Sequence, residues 1–201
     1  MPAMAVQVSS IREEKDALRR KMRAERDRLP PSEREERGAA AAARLLAHPA
    51  LAGAKLAALF WAAHGELDTA SLARALWERK IRLALPKVEG GQILFLETPA
   101  EDALRPGPFG LLEPRSDLPM VPLTDLEFML VPGLAFDSRG WRLGYGKGLY
   151  DRVLGRLRSG TVTAGYCFDF QLLGQVPHGP TDLPVGEIVT DRRHLRCGET
   201  S

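Results

Sequence analysis

The residues best placed to do chemistry lie between Gly133 and Gly148, where five glycines fall in sixteen positions with Arg142 and Lys147 among them. Glycine gives up more backbone freedom on folding than any other residue and buries no side chain, so this density needs a reason. An apolar run, Phe128 to Val131, precedes the cluster, and an amphipathic stretch, Tyr150 to Leu154, follows it. The expected order is strand, glycine loop, helix. Such a loop turns several backbone N–H groups toward one point where an anion can sit, and the two cations favour the same occupant. The chemistry this predicts is the binding of a phosphate-bearing ligand.

The spacing separates this loop from better-known ones. Gly144-x-Gly146-x-Gly148 lacks the later third glycine of the dinucleotide fingerprint, and Gly146-Lys147 is followed by Gly148 rather than the Ser or Thr of a P-loop. Asp169, about twenty residues on, keeps a nicotinamide-binding reading open, because a ribose-binding acid belongs near that distance. A third reading is a nucleotide- or RNA-binding module that uses the charged N-terminal segment. Simple chain reversal explains least, since Arg and Lys within the turn gain nothing from it. Asp137 is expected to brace the loop through backbone hydrogen bonds.

The elements that must position the loop follow from periodicity. Ile11, Leu18, Met22 and Leu29 form one narrow helical stripe, with Lys15, Arg19 and Arg26 side by side just off it. Pro30-Pro31 ends this helix, and Ser32 with Glu35 reads as a capping box opening a second, Ala-rich helix that stops before Pro49. Lys55 to Trp61 reads as a buried strand. Asp68 caps a third helix, with Leu67 and Leu72 as a hydrophobic staple. Further strands are expected at 81–85, 93–96, 161–166 and 187–190. Residues 99–122 hold six prolines and read as a long irregular connection. Strands alternating with helices give an α/β domain with a largely parallel sheet. Ligands bind beyond the carboxyl ends of such strands, which would gather Glu66, the glycine loop and Asp191 around one cleft.

Composition bounds the rest. The 201 residues suffice for one domain at 11–201, with 1–10 expected as a loose extension. The net charge of +2 arises wholly from residues 11–37, which carry ten basic and eight acidic side chains. That is too little to argue for a nucleic-acid partner. Two cysteines thirty residues apart suggest neither zinc nor a disulfide framework. No apolar stretch reaches spanning length and no secretory leader is evident, so a cytoplasmic protein without a membrane partner is expected. The four histidines, His48, His64, His178 and His194, read as surface or loop residues.

With these residues in view, the chain resembles the 5-formyltetrahydrofolate cyclo-ligase (methenyltetrahydrofolate synthetase) family. The resemblance rests on Val131-Pro-Gly-Leu-Ala-Phe-Asp137, Gly140, Arg142-Leu-Gly144, Gly146, Gly148 and Tyr150-Asp151-Arg152. Collinear support comes from Lys15-x-x-x-Arg19, Glu66-Leu67-Asp68-Thr69, Leu85-Pro86-Lys87, Phe109-Gly110-Leu111-Leu112-Glu113-Pro114, Phe168-x-x-Gln171 and Thr190-Asp191. The family usually carries two tyrosines before the aspartate, and this chain has Leu149-Tyr150.

The resemblance implies a three-layer α/β/α sandwich similar to the sugar-phosphate isomerase and CoA-transferase-like fold. It implies ATP-dependent closure of 5-formyltetrahydrofolate, with or without a polyglutamate tail, to 5,10-methenyltetrahydrofolate, releasing ADP and phosphate, in a monomer. By the same resemblance Lys15, Arg19, Arg142, Gly144, Tyr145, Gly146, Lys147, Gly148 and Tyr150 would bind ATP. Trp61, Glu66, the Tyr145–Gly148 stretch and Leu149 would bind folate, and Arg142, Lys147 and Tyr150 would act in catalysis. Asp151 and Asp191 would hold Mg²⁺. Read without the family, Lys15 and Arg19 are solvated helix charges, Asp151 a first-turn acid and Trp61 a strand-end core residue.

Overall fold

A computed structural model describes residues 2–107 and 110–198, with side chains from Ile11 onward. Its helices are α1 (Pro2–Asp27), α2 (Pro31–Leu46), α3 (Pro49–Ala52), α4 (Ala70–Glu78) and α5 (Leu149–Leu154). The strands are β1 (Leu56–Ala58), β2 (Arg82–Glu89), β3 (Gln92–Glu97), β4 (Leu104–Pro106), β5 (Leu112–Pro114), β6 (Phe128–Pro132), β7 (Ala135–Asp137), β8 (Arg142–Leu143), β9 (Val162–Cys167), β10 (Leu172–Leu173), β11 (Glu187–Thr190) and β12 (His194–Arg196). The extension expected at 1–10, and Phe109 of the collinear motifs, fall on residues whose side chains lie outside those described. Among the described residues no helix is long and apolar enough to cross a membrane.

Seven strands form the main sheet in the order β12-β11-β9-β6-β1-β2-β3. The five inner strands are mutually parallel, and the two edges, β12 and β3, run antiparallel. Side-chain alternation divides the core between the two faces of the sheet. Ala57, Leu83, Phe128, Leu130, Ala164, Tyr166 and Val189 join a cluster with Leu45 of α2 and Leu72 and Leu76 of α4. Their neighbours Leu56, Ala58, Ala84, Met129, Val131, Cys167 and Ile188 face the other way, toward Val153 of α5 and Phe136 of β7.

Several sequence expectations need correction. The second helix opens at Pro31, with Pro30 as its cap residue and no side-chain capping bond, so Ser32 and Glu35 form no capping box. Proline at the first helical position has its φ preset and lacks an N–H that would have been orphaned there. The cap residue of α4 is Thr69 rather than Asp68, although the two Asp68 oxygens, one residue earlier, accept the Ala70 and Ser71 N–H groups at 3.0 Å each. Residues 99–122 are not wholly irregular, because β4 and β5 pair there as a hairpin. Nor does the glycine loop follow β6 directly. A small sheet, β10-β7-β8, intervenes and carries the loop. Asp137 braces that turn as expected, fully buried, accepting the Arg139, Trp141 and Val176 N–H groups.

Candidate active-site cleft

The glycine loop forms one wall of a cleft of about 850 Å³, toward the upper end of the ~300–1,000 Å³ typical of small-molecule sites. Helix α1 supplies Lys15 and Arg19, the turn after β1 supplies Trp61, His64 and Glu66, and the β4–β5 hairpin supplies Leu112 and Glu113. Every expected phosphate- or folate-contacting residue lines this cleft, Leu149 and Tyr150 included. Trp61 serves both of its readings, since it also packs against the core.

Arg142 is the fixed point of the loop. Only 5% exposed, it donates from Nη2 to Asp151 Oδ1 at 3.0 Å, and its guanidinium carbon lies 5.8 Å from the centre of the Tyr150 ring. Its Nε finds no partner among the described residues, and neither does Arg26 Nε. Gly144 is glycine because of this arginine: a Cβ there would stand 2.5 Å from Arg142 Nη1. Helix α1 closes on the loop from the other side, with Arg19 Nε donating to the Gly144 carbonyl at 2.9 Å. Gly146, at φ +103, faces that guanidinium at 3.5 Å from its Cβ position. Tyr150 is partly buried at the cleft wall, and burial first, then the Glu66 charge, raises its hydroxyl well above the ordinary value.

Around Glu66 the geometry adds Arg26, which the sequence placed on α1 without a role in the site. Tyr145 donates its hydroxyl to Glu66 Oε1, while Arg26, 2% exposed, donates to the same hydroxyl at 3.1 Å. Arg23 and Arg26 both lie within 6 Å of the Tyr145 ring, at 5.8 and 5.9 Å, in cation–π geometry. Glu66 takes the Ala63 N–H on its other oxygen at 3.1 Å. Burial raises the Glu66 pKa despite these donors and Arg26. Such a carboxylate suits a ligand that brings its own N–H groups, because their hydrogen bonds replace the water that it lost. Arg26 was detectable in principle as a third basic residue on the Lys15–Arg19 face of α1.

The acidic residues divide differently from expectation. Asp151 lines the cleft, and both hydrogen bonds it accepts from described residues, from Arg142 and the Leu183 N–H, fall on Oδ1. Asp191 does not line it. Its Oδ1 accepts the Asp169 N–H at 2.6 Å, and Arg37 and Arg192 approach Oδ2 at 3.7 and 3.9 Å. The acid that joins Asp151 is Asp182, whose Oδ2 accepts the Gly179 N–H at 2.6 Å and also takes Lys15 Nζ. Burial pushes the Asp182 carboxyl up, but the Gly179 amide and Lys15 outweigh it and leave its pKa lowered. Each acid thus keeps one oxygen without a partner among the described residues, Oδ2 on Asp151 and Oδ1 on Asp182. Two hard oxygens on the phosphate side suit Mg²⁺, which takes a few carboxylates plus phosphate oxygens and water.

The rival nicotinamide reading loses its acid here. Both Asp169 oxygens are held by Arg193, at 2.8 and 2.7 Å, away from the cleft. Two of the histidines read as surface residues are packed: His48 is buried beside Glu187, and His178 stacks on Trp141 with ring centres 3.7 Å apart.

Known proteins carry the same pattern. The model of the 5-formyltetrahydrofolate cyclo-ligase family matches residues 11–191. The 5-formyltetrahydrofolate cyclo-ligase of Escherichia coli K12 is 34% identical over 174 residues, covering 84% of this chain and 96% of its own. That of Haemophilus influenzae is 30% identical over 141 residues, 68% of this chain and 75% of its own. The NMR structure of Aquifex aeolicus 5,10-methenyltetrahydrofolate synthetase superposes with a TM-score of 0.83 at 34% identity, covering 93% of this chain and 94% of its own. A synthetase structure from Mycoplasma pneumoniae, at 24% identity and a TM-score of 0.74, shares the fold.

Proposed function

Because the chain belongs to the 5-formyltetrahydrofolate cyclo-ligase family, and so converts 5-formyltetrahydrofolate to 5,10-methenyltetrahydrofolate, we propose that the glycine-loop cleft is where the ring closes. The family implies ATP use, and the chemistry explains the need. A formamide oxygen is a poor leaving group. Transfer of the γ-phosphoryl group to it releases ADP and leaves an electrophilic formyl carbon. The 10-amine of the folate attacks that carbon, its N–H proton departs, and the C–O bond breaks to release phosphate.

Phosphoryl transfer asks a protein chiefly to position the partners and neutralise charge. Lys15 and Arg19 on α1 line the cleft together with Arg142 and Lys147, so cationic groups from two segments would surround the triphosphate. Backbone N–H groups of 144–148 complete the cradle. Glu66 and Tyr145 take the pterin's donor edge, and Trp61 offers a ring face. Mg²⁺ belongs to the same proposal, held by the open oxygens of Asp151 and Asp182, where it supplies charge neutralisation at the phosphates. We also read the layering of α2 and α4, sheet, and α5 as the sandwich of sugar-phosphate isomerases, and the chain as acting as a monomer.

The observation that carries this reading is the convergence of Lys15, Arg19, Glu66, Arg142 and Asp151 on one cleft from four separate segments. It is tested by steady-state kinetics on carboxylate variants. Asp151→Asn and Asp182→Asn are each expected to lower kcat by about 100-fold, the scale of losing one pre-organised electrostatic group. Asp191→Asn, checked for folding, keeps wild-type kcat. Loss of turnover in Asp191→Asn with retention in Asp182→Asn would overturn the assignment.

A further inference from the structure

On the helix-covered face of the sheet, away from the cleft, two imidazoles converge on one carboxylate oxygen. His48 Nε2 lies 2.6 Å and His194 Nε2 2.8 Å from the same atom, Glu187 Oε2. One ligand atom from each of the three residues lies within 4.8 Å of the others. None of the three lines the cleft.

The fold places these groups by ordinary rules. Glu187 opens β11, and His194 opens the antiparallel strand β12. His194 sits opposite Val189, so the pleat turns it to the same face as Glu187, one diagonal step away. His48 comes from the corner between α2 and α3, where Leu45 and Leu51 are fully buried, and its ring packs edge-on against Phe128. The His48 and His194 ring centres are 4.9 Å apart. His48 Nδ1 has no partner among the described residues, so its hydrogen bonding with them runs through Nε2. The remaining charge on Glu187 is Arg196, whose Nε stands 3.9 Å from Oε1 and leaves Oε2 to the histidines.

We propose that His48, Glu187 and His194 form a site for a divalent transition metal of the zinc class, with water as the fourth ligand. Two imidazoles and a carboxylate are the donor set such ions select over magnesium or calcium. Ligand atoms around a tetrahedral zinc lie about 3.3 Å apart, given bonds near 2.0–2.1 Å. The present spacings of 2.6 and 2.8 Å therefore open by about 0.7 and 0.5 Å when the ion enters. As each Nε2 ligates, its hydrogen passes to the ring's Nδ1, or to solvent where the ring starts protonated, so both imidazoles bind as neutral rings and the two N–H···O bonds are exchanged for metal bonds. The ion would staple the α2–α3 corner to the β11–β12 edge, segments about 140 residues apart in sequence.

The test is calorimetric titration of the whole chain with Zn²⁺ alone, paired with thermal unfolding with and without the ion. The wild-type chain is expected to bind one equivalent and to unfold at higher temperature with zinc present. His194→Ala removes the most exposed ligand and is expected to weaken that event at least about tenfold and abolish the thermal shift. Glu187→Gln does the same, whereas Cys197→Ser, the nearest alternative soft donor in sequence, binds as the wild type does. Undiminished zinc binding in folded His194→Ala, or no stoichiometric binding by the wild-type chain, overturns the proposal.

Discussion

Glu66 shows what a single residue reveals about the ligand. Burial raises its pKa, so the folded chain holds a proton that the unfolded chain releases. The folded state is therefore favoured fully below the ordinary carboxylate range, and that increment is lost as pH rises through the raised value. Glu66→Gln carries no such dependence. Unfolding midpoints across pH should show the variant gaining on wild type as pH rises, while its KM for 5-formyltetrahydrofolate rises about 10-fold or more. Equal midpoint profiles would contradict the burial argument, and an unchanged KM would remove Glu66 from the folate site. The sequence made Glu66, Arg142 and Lys147 legible because their neighbours form a long motif. It pointed to Asp191, which does not line the cleft, rather than to Asp182, which does. Asp182 and Asp191 both follow apolar or turn segments near strand β11, and nothing in local composition says that the turn from Gly179 bends Asp182 back onto Lys15.

At the scale of elements, the loop and α1 work as one unit. Arg19 grips the Gly144 carbonyl, and Arg142 occupies the space that a side chain at 144 would need. Gly144→Ala would put its methyl 2.5 Å from Arg142 Nη1, so the guanidinium must swing away from Asp151. Turnover is expected to fall by about 10- to 100-fold with a smaller change in folate affinity if the displaced group acts, as proposed, on the transferring phosphate. Steady-state kinetics with each substrate varied in turn distinguishes this from a general folding defect, and wild-type kcat would contradict it. Longer elements were readable from periodicity: the parallel inner strands and the helices between them emerge within a few residues. The strands β7, β8 and β10 hold two or three residues each. Runs that short complete no alternation, and their pairing is set by the buried Asp137 turn rather than by pattern.

The whole molecule joins a parallel sheet, which anchors the cleft, to an N-terminal helix that reaches back across it. Sequence order hides that closure, since Lys15 and Asp182 are 167 residues apart yet form an ion pair. The β12 edge was least legible, whereas the other edge, β3, matches the strand expected at 93–96. Strand β12 follows β11 after three residues and carries His194 and Arg196 outward, so it lacks the apolar run that marks a buried strand. Its role emerges only with Glu187 and His48 around it.

The claim on which the catalytic account turns is that phosphate leaves with the formyl oxygen. Substrate enriched in heavy oxygen at the formyl group, turned over with ATP, should yield inorganic phosphate carrying one heavy atom per methenyl product formed, read by mass spectrometry. Heavy oxygen in the water and none in the phosphate would contradict it.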